Sequence, residues 1–192
     1  MKLKAMESVL QQFEAFKEPQ VSLEQYATPP KIASQIVLHL DKTQFKFEDK
    51  LIADFGSGTG ILSAGAILQG CFAVFCFEKD AAAMLTAKRN FEKFGFAPEL
   101  ILIDVAQIDR QKRLFALFDN VVMNPPFGTR LKGIDLLFVK NALLVTKDSV
   151  YSLHKSSTRK VFRNLFSQPS PFFHRKLKNN AFLSNRWLNG AN

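Results

Sequence analysis

Apolar positions along this chain fall into two alternating periods. Leu3, Met6, Leu10 and Phe13 recur three and four residues apart, which predicts an amphipathic helix over residues 3–16 that ends ahead of Pro19. A second stripe, Ile32, Ile36, Val37 and Leu40, follows Thr28-Pro29-Pro30, which reads as an N-cap with prolines in the first helical turn. Residues 23–28 then form an extended arm that leads into this helix.

From Leu51 onward, short apolar runs bounded by turn signals alternate with helical stretches. Strands are predicted at 51–55, 73–77, 99–103, 118–123 and 149–153, and helices at 61–68, 81–94 and 135–146. The run from Ile61 to Phe77 is nearly all apolar, but Gln69-Gly70 divides it into a buried helix and strand rather than a membrane span. Five strands separated mostly by helices predict an α/β fold: a doubly wound, mostly parallel sheet whose right-handed crossovers place helices on both faces. Ligands of such sheets bind at the carboxyl ends of the strands. The glycine loop 54–60, Glu78, Asp104 and Asn124 each follow a strand, so they are expected to converge on one crevice.

Charge divides the chain unevenly. Of 26 Lys and Arg and 17 Asp and Glu, residues 155–192 hold eight basic residues and no acidic one, which leaves the body near neutrality. A basic tail fits an anionic partner, nucleic acid first. Cys71 and Cys76, without a neighbouring Cys or His pair, fit buried reduced thiols rather than a disulfide framework or a metal site. The N-terminus lacks the apolar core of a signal peptide, so an intracellular location, nucleus or cytoplasm, is expected. Three segments follow: an N-terminal helix within 1–20, a ligand-binding domain over 21–160, and a basic tail from 161 to 192.

In Asp54-Phe55-Gly56-Ser57-Gly58-Thr59-Gly60, glycines occupy every second position directly after a strand. Such a loop turns sharply and lets backbone approach a ligand closely. Its spacing suits S-adenosylmethionine better than a dinucleotide, whose fingerprint carries two further residues before the third glycine. Glu78, at the end of the next strand, is placed to accept hydrogen bonds from two ribose hydroxyls, or else to offset a helix macrodipole, a role Asp80 could take instead. Asp104 can accept from an adenine amine, with Val105 against the ring.

Asn124-Pro125-Pro126-Phe127 is the sharpest signal. Its two prolines fix the backbone and remove two N–H donors, leaving carbonyls free to face a substrate amine. The Asn124 side-chain oxygen and the Pro125 carbonyl could accept both hydrogens of an adenine N6 amine, while Phe127 stacks on the extruded base. No strong base is required, because the amine attacks neutral and loses a proton afterwards. The same logic serves a glutamine amide, so a protein glutamine N5 methyltransferase is the rival reading.

This constellation is similar to the methyltransferase-like protein 5 family, which methylates adenine in small-subunit ribosomal RNA. The likeness rests on Gln25-Tyr26 with Thr28, on Met123 to Thr129, on Lys132-Gly133 with Asp135, and on Tyr151 to Arg159. It implies a Rossmann-like methyltransferase with S-adenosylmethionine as cofactor and no metal. Donor contacts are implied at Gln25, Thr28, Gly56, Thr59, Ile61, Glu78, Asp104 and Val105, within a loop that includes Asp54 and Gly58. Asn124, Pro125, Pro126 and Phe127 are implied as catalytic. The resemblance also implies a small zinc-ribbon activator subunit as partner; the outer strand at 99–103, with no Lys and no interior Pro, offers an edge to pair with it.

Three departures stand out. Ser57 and Thr59 replace cysteines, Glu78 replaces Asp, and residues 160–192 do not resemble the family's final helix and antiparallel strand pair. Without that pair, strand 149–153 is expected to be a second bare edge, and the chain less stable and less active than one with the usual ending, or reduced to a binding module.

Overall fold

The computed structural model describes residues 1–43 and 45–154, together with the backbone of Leu183–Ser184. Its centre is a sheet of strands β1 (Leu51–Phe55), β2 (Ala73–Glu78), β3 (Glu99–Leu102), β4 (Phe118–Met123), β5 (Thr146–His154) and β6 (Leu183–Ser184), in the order β3-β2-β1-β4-β5-β6. Every pairing is parallel. Helices α1 (Leu3–Leu10), α2 (Pro30–Asp41), α3 (Ile61–Leu68), α4 (Ala81–Lys93) and α5 (Ile134–Val145) cover it.

Alternation along the strands sorts side chains between two cores. Ile52, Val74, Cys76 and Val122 join Val37, Leu40 and Phe91 on one face. Ala53, Phe55, Phe77, Val121 and Met123 join Phe138 and Val139 of α5 on the other. Strands buried on both faces must be apolar almost throughout, which is why they read as continuous runs in the sequence.

The first helix is shorter than its stripe suggested, and the segment to residue 20 is not helical beyond it. It stops at Leu10; Gln12 and Phe13 donate to the carbonyls of Val9 and Leu10 in tight turns. The backbone then leaves the helical path because Asn90 of α4 competes for it. Glu14 N–H donates to Asn90 Oδ1 (2.8 Å), and Asn90 Nδ2 donates to the carbonyls of Glu14 (3.0 Å) and Thr59 (3.0 Å). Phe13 still packs, stacked on Phe94 and edge-on to Phe91. Thr28 does not cap α2: the cap position falls on Pro29, and the Thr28 hydroxyl is used elsewhere.

The expectation of a bare edge at residues 149–153 is corrected only at its last residue; among the described residues no strand lies outside 149–152. β5 runs from Thr146 to His154, and its last two residues pair with Leu183 and Ser184. Among the described residues no antiparallel pair follows β5. The aromatic residues of the tail, Phe162 to Trp187, and the block 155–159 lie outside the described residues. At the opposite side β3 is the outer strand as expected, with Leu102 59% exposed.

Candidate functional site

Register brings the strand ends level. Phe55 of β1 faces Phe77 of β2 and Met123 of β4, and Glu78 faces Leu102. The glycine loop, Glu78, Asp104 and Asn124 therefore emerge at one rim, and strand order reverses between β1 and β4, where a crevice opens.

The glycine loop is anchored by backbone. Gly56 and Ser57 N–H groups donate to the Phe77 carbonyl (2.8 and 3.1 Å), and Gly58 N–H donates to Glu78 Oε2 (2.9 Å). Gly58 and Gly60 have φ of +55° and +90°, and a Cβ on them would lie 2.8 Å from Phe16 and 2.4 Å from Phe91. Rings therefore press on the loop from outside, so glycine is required for space as well as for dihedral angle. Phe16 also lines the crevice, although the sequence offered no sign of this beyond its aromatic character.

Glu78 is buried, and its other oxygen accepts the N–H groups of Lys79 (2.8 Å) and Asp80 (2.9 Å). Asp80 takes the helix-capping role, accepting Ala82 N–H (3.0 Å) at the start of α4. Gln25 Nε2 donates to Asp80 Oδ2 (2.6 Å), which ties the arm to this corner. Asp104 accepts Ala106 N–H (2.9 Å) and lies 3.6 Å from Lys79 Nζ, with Val105 buried beside it. Asp54 lies beneath the loop, almost fully buried, and accepts from Ser63 Oγ (2.6 Å). Burial pushes its carboxyl up to about 7 against the opposing pull of Ser63, and its Oδ1 has no hydrogen-bond partner among the described residues. Thr59 and Ile61 stand at a small cavity where the loop meets α3.

Asn124 to Phe127 is held mainly from outside the motif. Asn124 Nδ2 donates to Thr28 Oγ1 (2.9 Å), and the Tyr26 hydroxyl sits 3.0 Å from Asn124 Oδ1 and 3.2 Å from the Pro125 carbonyl. The Glu24 carboxylate accepts the N–H groups of Phe127 (2.9 Å) and Arg130 (2.8 Å). Burial alone would raise the Glu24 carboxyl, but these bonds together with those from Thr129 lower it on balance. The Glu24 backbone is left-handed, φ +52°, which aims its side chain across to the loop. Gln25-Tyr26 with Thr28 carried the family likeness, but neither Glu24 nor Tyr26 was given a role of its own at the Asn-Pro-Pro-Phe turn; the local signal was a Glu-Gln-Tyr run on a half-exposed arm. Phe127 lies 5.1 Å from the Tyr26 ring, tilted at 37°.

Behind this loop runs a buried polar row. Ser152 Oγ is 2.6 Å from His154 Nε2, and His154 Nδ1 is 3.8 Å from Asp135 Oδ2. Burial lowers His154 to about 4, so the imidazole is neutral near pH 7 and the pair is not an ion pair there. Asp135 Oδ1 is 3.4 Å from where a Gly128 Cβ would stand, which places this row directly under the turn after Phe127.

A parallel sheet with a glycine loop after β1, an acid after β2 and an Asn-Pro-Pro-Phe turn after β4 defines the Rossmann-like methyltransferase class. The profile of the methyltransferase small domain family matches residues 31–149. The rRNA N(6)-adenosine-methyltransferase METTL5 of Danio rerio is 42% identical, over 83% of this chain and 77% of that protein. The Drosophila melanogaster rRNA N(6)-adenosine-methyltransferase Mettl5 is 38% identical, over 83% and 75%. The crystal structure of PH1948 from Pyrococcus horikoshii superposes with a TM-score of 0.75 at 33% identity, covering 85% of this chain and 79% of that one. The chain belongs to the methyltransferase-like protein 5 family within the small-domain methyltransferases. Among the described residues no helix is long and apolar enough to cross a membrane.

Proposed function

We propose that this chain transfers a methyl group from S-adenosylmethionine to the N6 amine of an adenine in small-subunit ribosomal RNA. The observation that carries the reading is the pair of acceptors at the end of β4, Asn124 Oδ1 and the Pro125 carbonyl, close enough together for one hydroxyl to reach both. Two such acceptors match an amino group with two hydrogens. Holding both aims the nitrogen lone pair along a single direction.

The residues of the donor crevice fit the proposed cofactor. A glycine loop with no room for side chains, an almost buried carboxylate at Glu78, a second at Asp104 and apolar walls from Phe77, Val105 and Phe138 suit a nucleoside with a charged tail. Asp54 adds a buried oxygen without a partner. Glu78 would hold the ribose hydroxyls, Asp104 and Val105 the adenine, and Gln25, Thr28, Asp54, Gly56, Gly58, Thr59 and Ile61 the remainder. The donor supplies an electrophilic methyl. This chain's own part is to orient the amine, exclude water and stack Phe127 on the base.

A second cavity, lined by Glu24, Tyr26, Phe127, Thr129 and Arg130, lies across Tyr26 and Asn124 from the donor crevice. It supports a base-binding role for that side, with Arg130 available to a phosphate. The test is incubation with labelled S-adenosylmethionine and ribosomal RNA, followed by mass spectrometry of nucleosides. Label in N6-methyladenosine is expected; label only in glutamine-methylated peptides would replace the reading.

The partner of this activity is proposed to be a small zinc-ribbon activator subunit paired to β3. That edge carries no Lys and no interior Pro, its one charge is Glu99 at the start, and Leu102 is exposed. Leu100 packs against the core, so the clean probe is Leu102→Lys alone. Loss of co-purification with an unchanged melting temperature is expected; an intact complex refutes strand pairing.

A further inference from the structure

The Tyr26 side chain lines the donor crevice, the small cavity beside the glycine loop and the cavity next to Phe127. Its hydroxyl shares one proton between Asn124 Oδ1 (3.0 Å) and the Pro125 carbonyl (3.2 Å), and its ring lies 5.1 Å from that of Phe127. These are the three contacts assigned above to the target base: two acceptors for its amine and one ring for its face. A tyrosine and an incoming adenine cannot use them together.

We infer that Tyr26 is a stand-in for the substrate base, filling the amine-binding acceptors when no base is present and leaving them when one enters. The inference rests on the proposed adenine reading and deepens it. Without a base, Asn124 Oδ1 and the Pro125 carbonyl would lose their partner in a part-buried place, which is costly. With Tyr26 in position, base entry becomes an exchange of one donor for another. The arm that carries Tyr26 is built for such a move. It is anchored on one side by Glu24 on the Phe127–Arg130 backbone, and on the other by Thr28, which Asn124 Nδ2 holds. Tyr26 itself is 39% exposed, so it can turn outward without breaking the core.

Because an adenine, methylated at N6 or not, must displace the same hydroxyl to enter, the displacement weakens both by one common factor, and an RNA with no adenine to insert escapes it. This separates the stand-in from a tyrosine that touches the bound base, which would discriminate an amino from a methylamino group. The test loads the full chain with S-adenosylhomocysteine and measures anisotropy of short single-stranded RNAs carrying one adenine, one N6-methyladenine or no adenine. Tyr26→Phe is expected to tighten the first two equally, by about three- to tenfold, and leave the third unchanged. Unchanged or weaker binding of the adenine RNA, or unequal factors for the two, overturns the inference. Methyl transfer by the parent chain, scored separately as N6-methyladenosine, decides the activity reading. The Tyr26 result is read from binding alone, so either can fail without the other.

Discussion

The two halves of the crevice are held by different means. On the donor side the glycine loop hangs from β2 through backbone bonds, and Glu78 accepts three N–H groups from residues 58, 79 and 80. On the acceptor side the Asn-Pro-Pro-Phe turn has lost two N–H donors to proline. Tyr26, Glu24 and Thr28, roughly a hundred residues earlier in the chain, take up the load. The donor half is thus rigid by its own chemistry, and the acceptor half is only as rigid as the arm lying on it. An enzyme that must open for a nucleic-acid base yet keep its cofactor in place gains from that division.

The largest expected effect probes the acceptor side directly. Asn124→Ala removes one of the two aiming contacts and should lower turnover by about 100- to 1000-fold while donor affinity stays close to that of the parent, because the lost contact acts on the transition state. Single-turnover methylation and calorimetric donor binding on one preparation measure both; undiminished turnover would remove Asn124 from the chemistry. Glu24→Gln comes next. It keeps the side chain's shape but weakens two charge-assisted bonds to the Phe127 and Arg130 backbone, so turnover should fall about ten- to hundredfold through misplacement of Phe127. If Glu24→Gln instead weakened donor binding as strongly as turnover, the two halves would not be separable.

This division also explains what was legible in the sequence. The strands at 51–55 and 118–123 match their predicted ranges because doubly buried parallel strands are runs of apolar residues bounded by breakers. The positions of the glycine loop, Glu78, Asp104 and Asn124 followed from strand ends alone. The arm was noticed through Gln25-Tyr26, but the hold of Glu24 and Tyr26 on the β4 turn escaped because it depends on partners about a hundred residues away and on a left-handed backbone at Glu24, which no local pattern encodes. The early end of α1 was hidden for the same reason. Its stripe continues to Phe13, and only the docking of Asn90 shows why the helix does not.

On the donor side, Glu78→Ala and Asp104→Ala should each weaken S-adenosylmethionine binding, by about 1 to 3 kcal/mol. The different burial of the two carboxylates sets an order. Glu78 is almost buried and supports three backbone N–H groups, so its loss should fall at the upper end and also lower the melting temperature. Asp104, with a side chain 34% exposed and Lys79 nearby, should fall at the lower end with little change in melting. Equal effects on binding and melting would show that Glu78 is no more structural than Asp104.

The smallest expected effect concerns pH, where Asp54 on the donor side and His154 on the acceptor side are displaced in opposite directions, while Asp135 beside His154 is raised by burial as Asp54 is. Asp54, under the donor loop, is raised by burial from 3.8 to about 7, so the native state keeps a proton that the unfolded chain gives up. Its contribution to stability is full below the unfolded value and is lost as pH rises toward 7. His154, behind the acceptor loop, is lowered by burial from 6.5 to about 4, so its contribution is full above 6.5 and is lost as pH falls toward 4. Between pH 5.5 and 6.5 these two slopes oppose each other, each approaching about 1.4 kcal/mol per unit at most, so the contributions of Asp54 and His154 nearly cancel in the parent. Asp54→Asn removes the falling slope, so its melting temperature should rise by a few degrees across that window. His154→Gln removes the rising slope, and its melting temperature should fall instead. Parallel melting curves for the two variants would mean that at least one of these groups titrates near its ordinary value, and that the contrast between the halves does not extend to their protons.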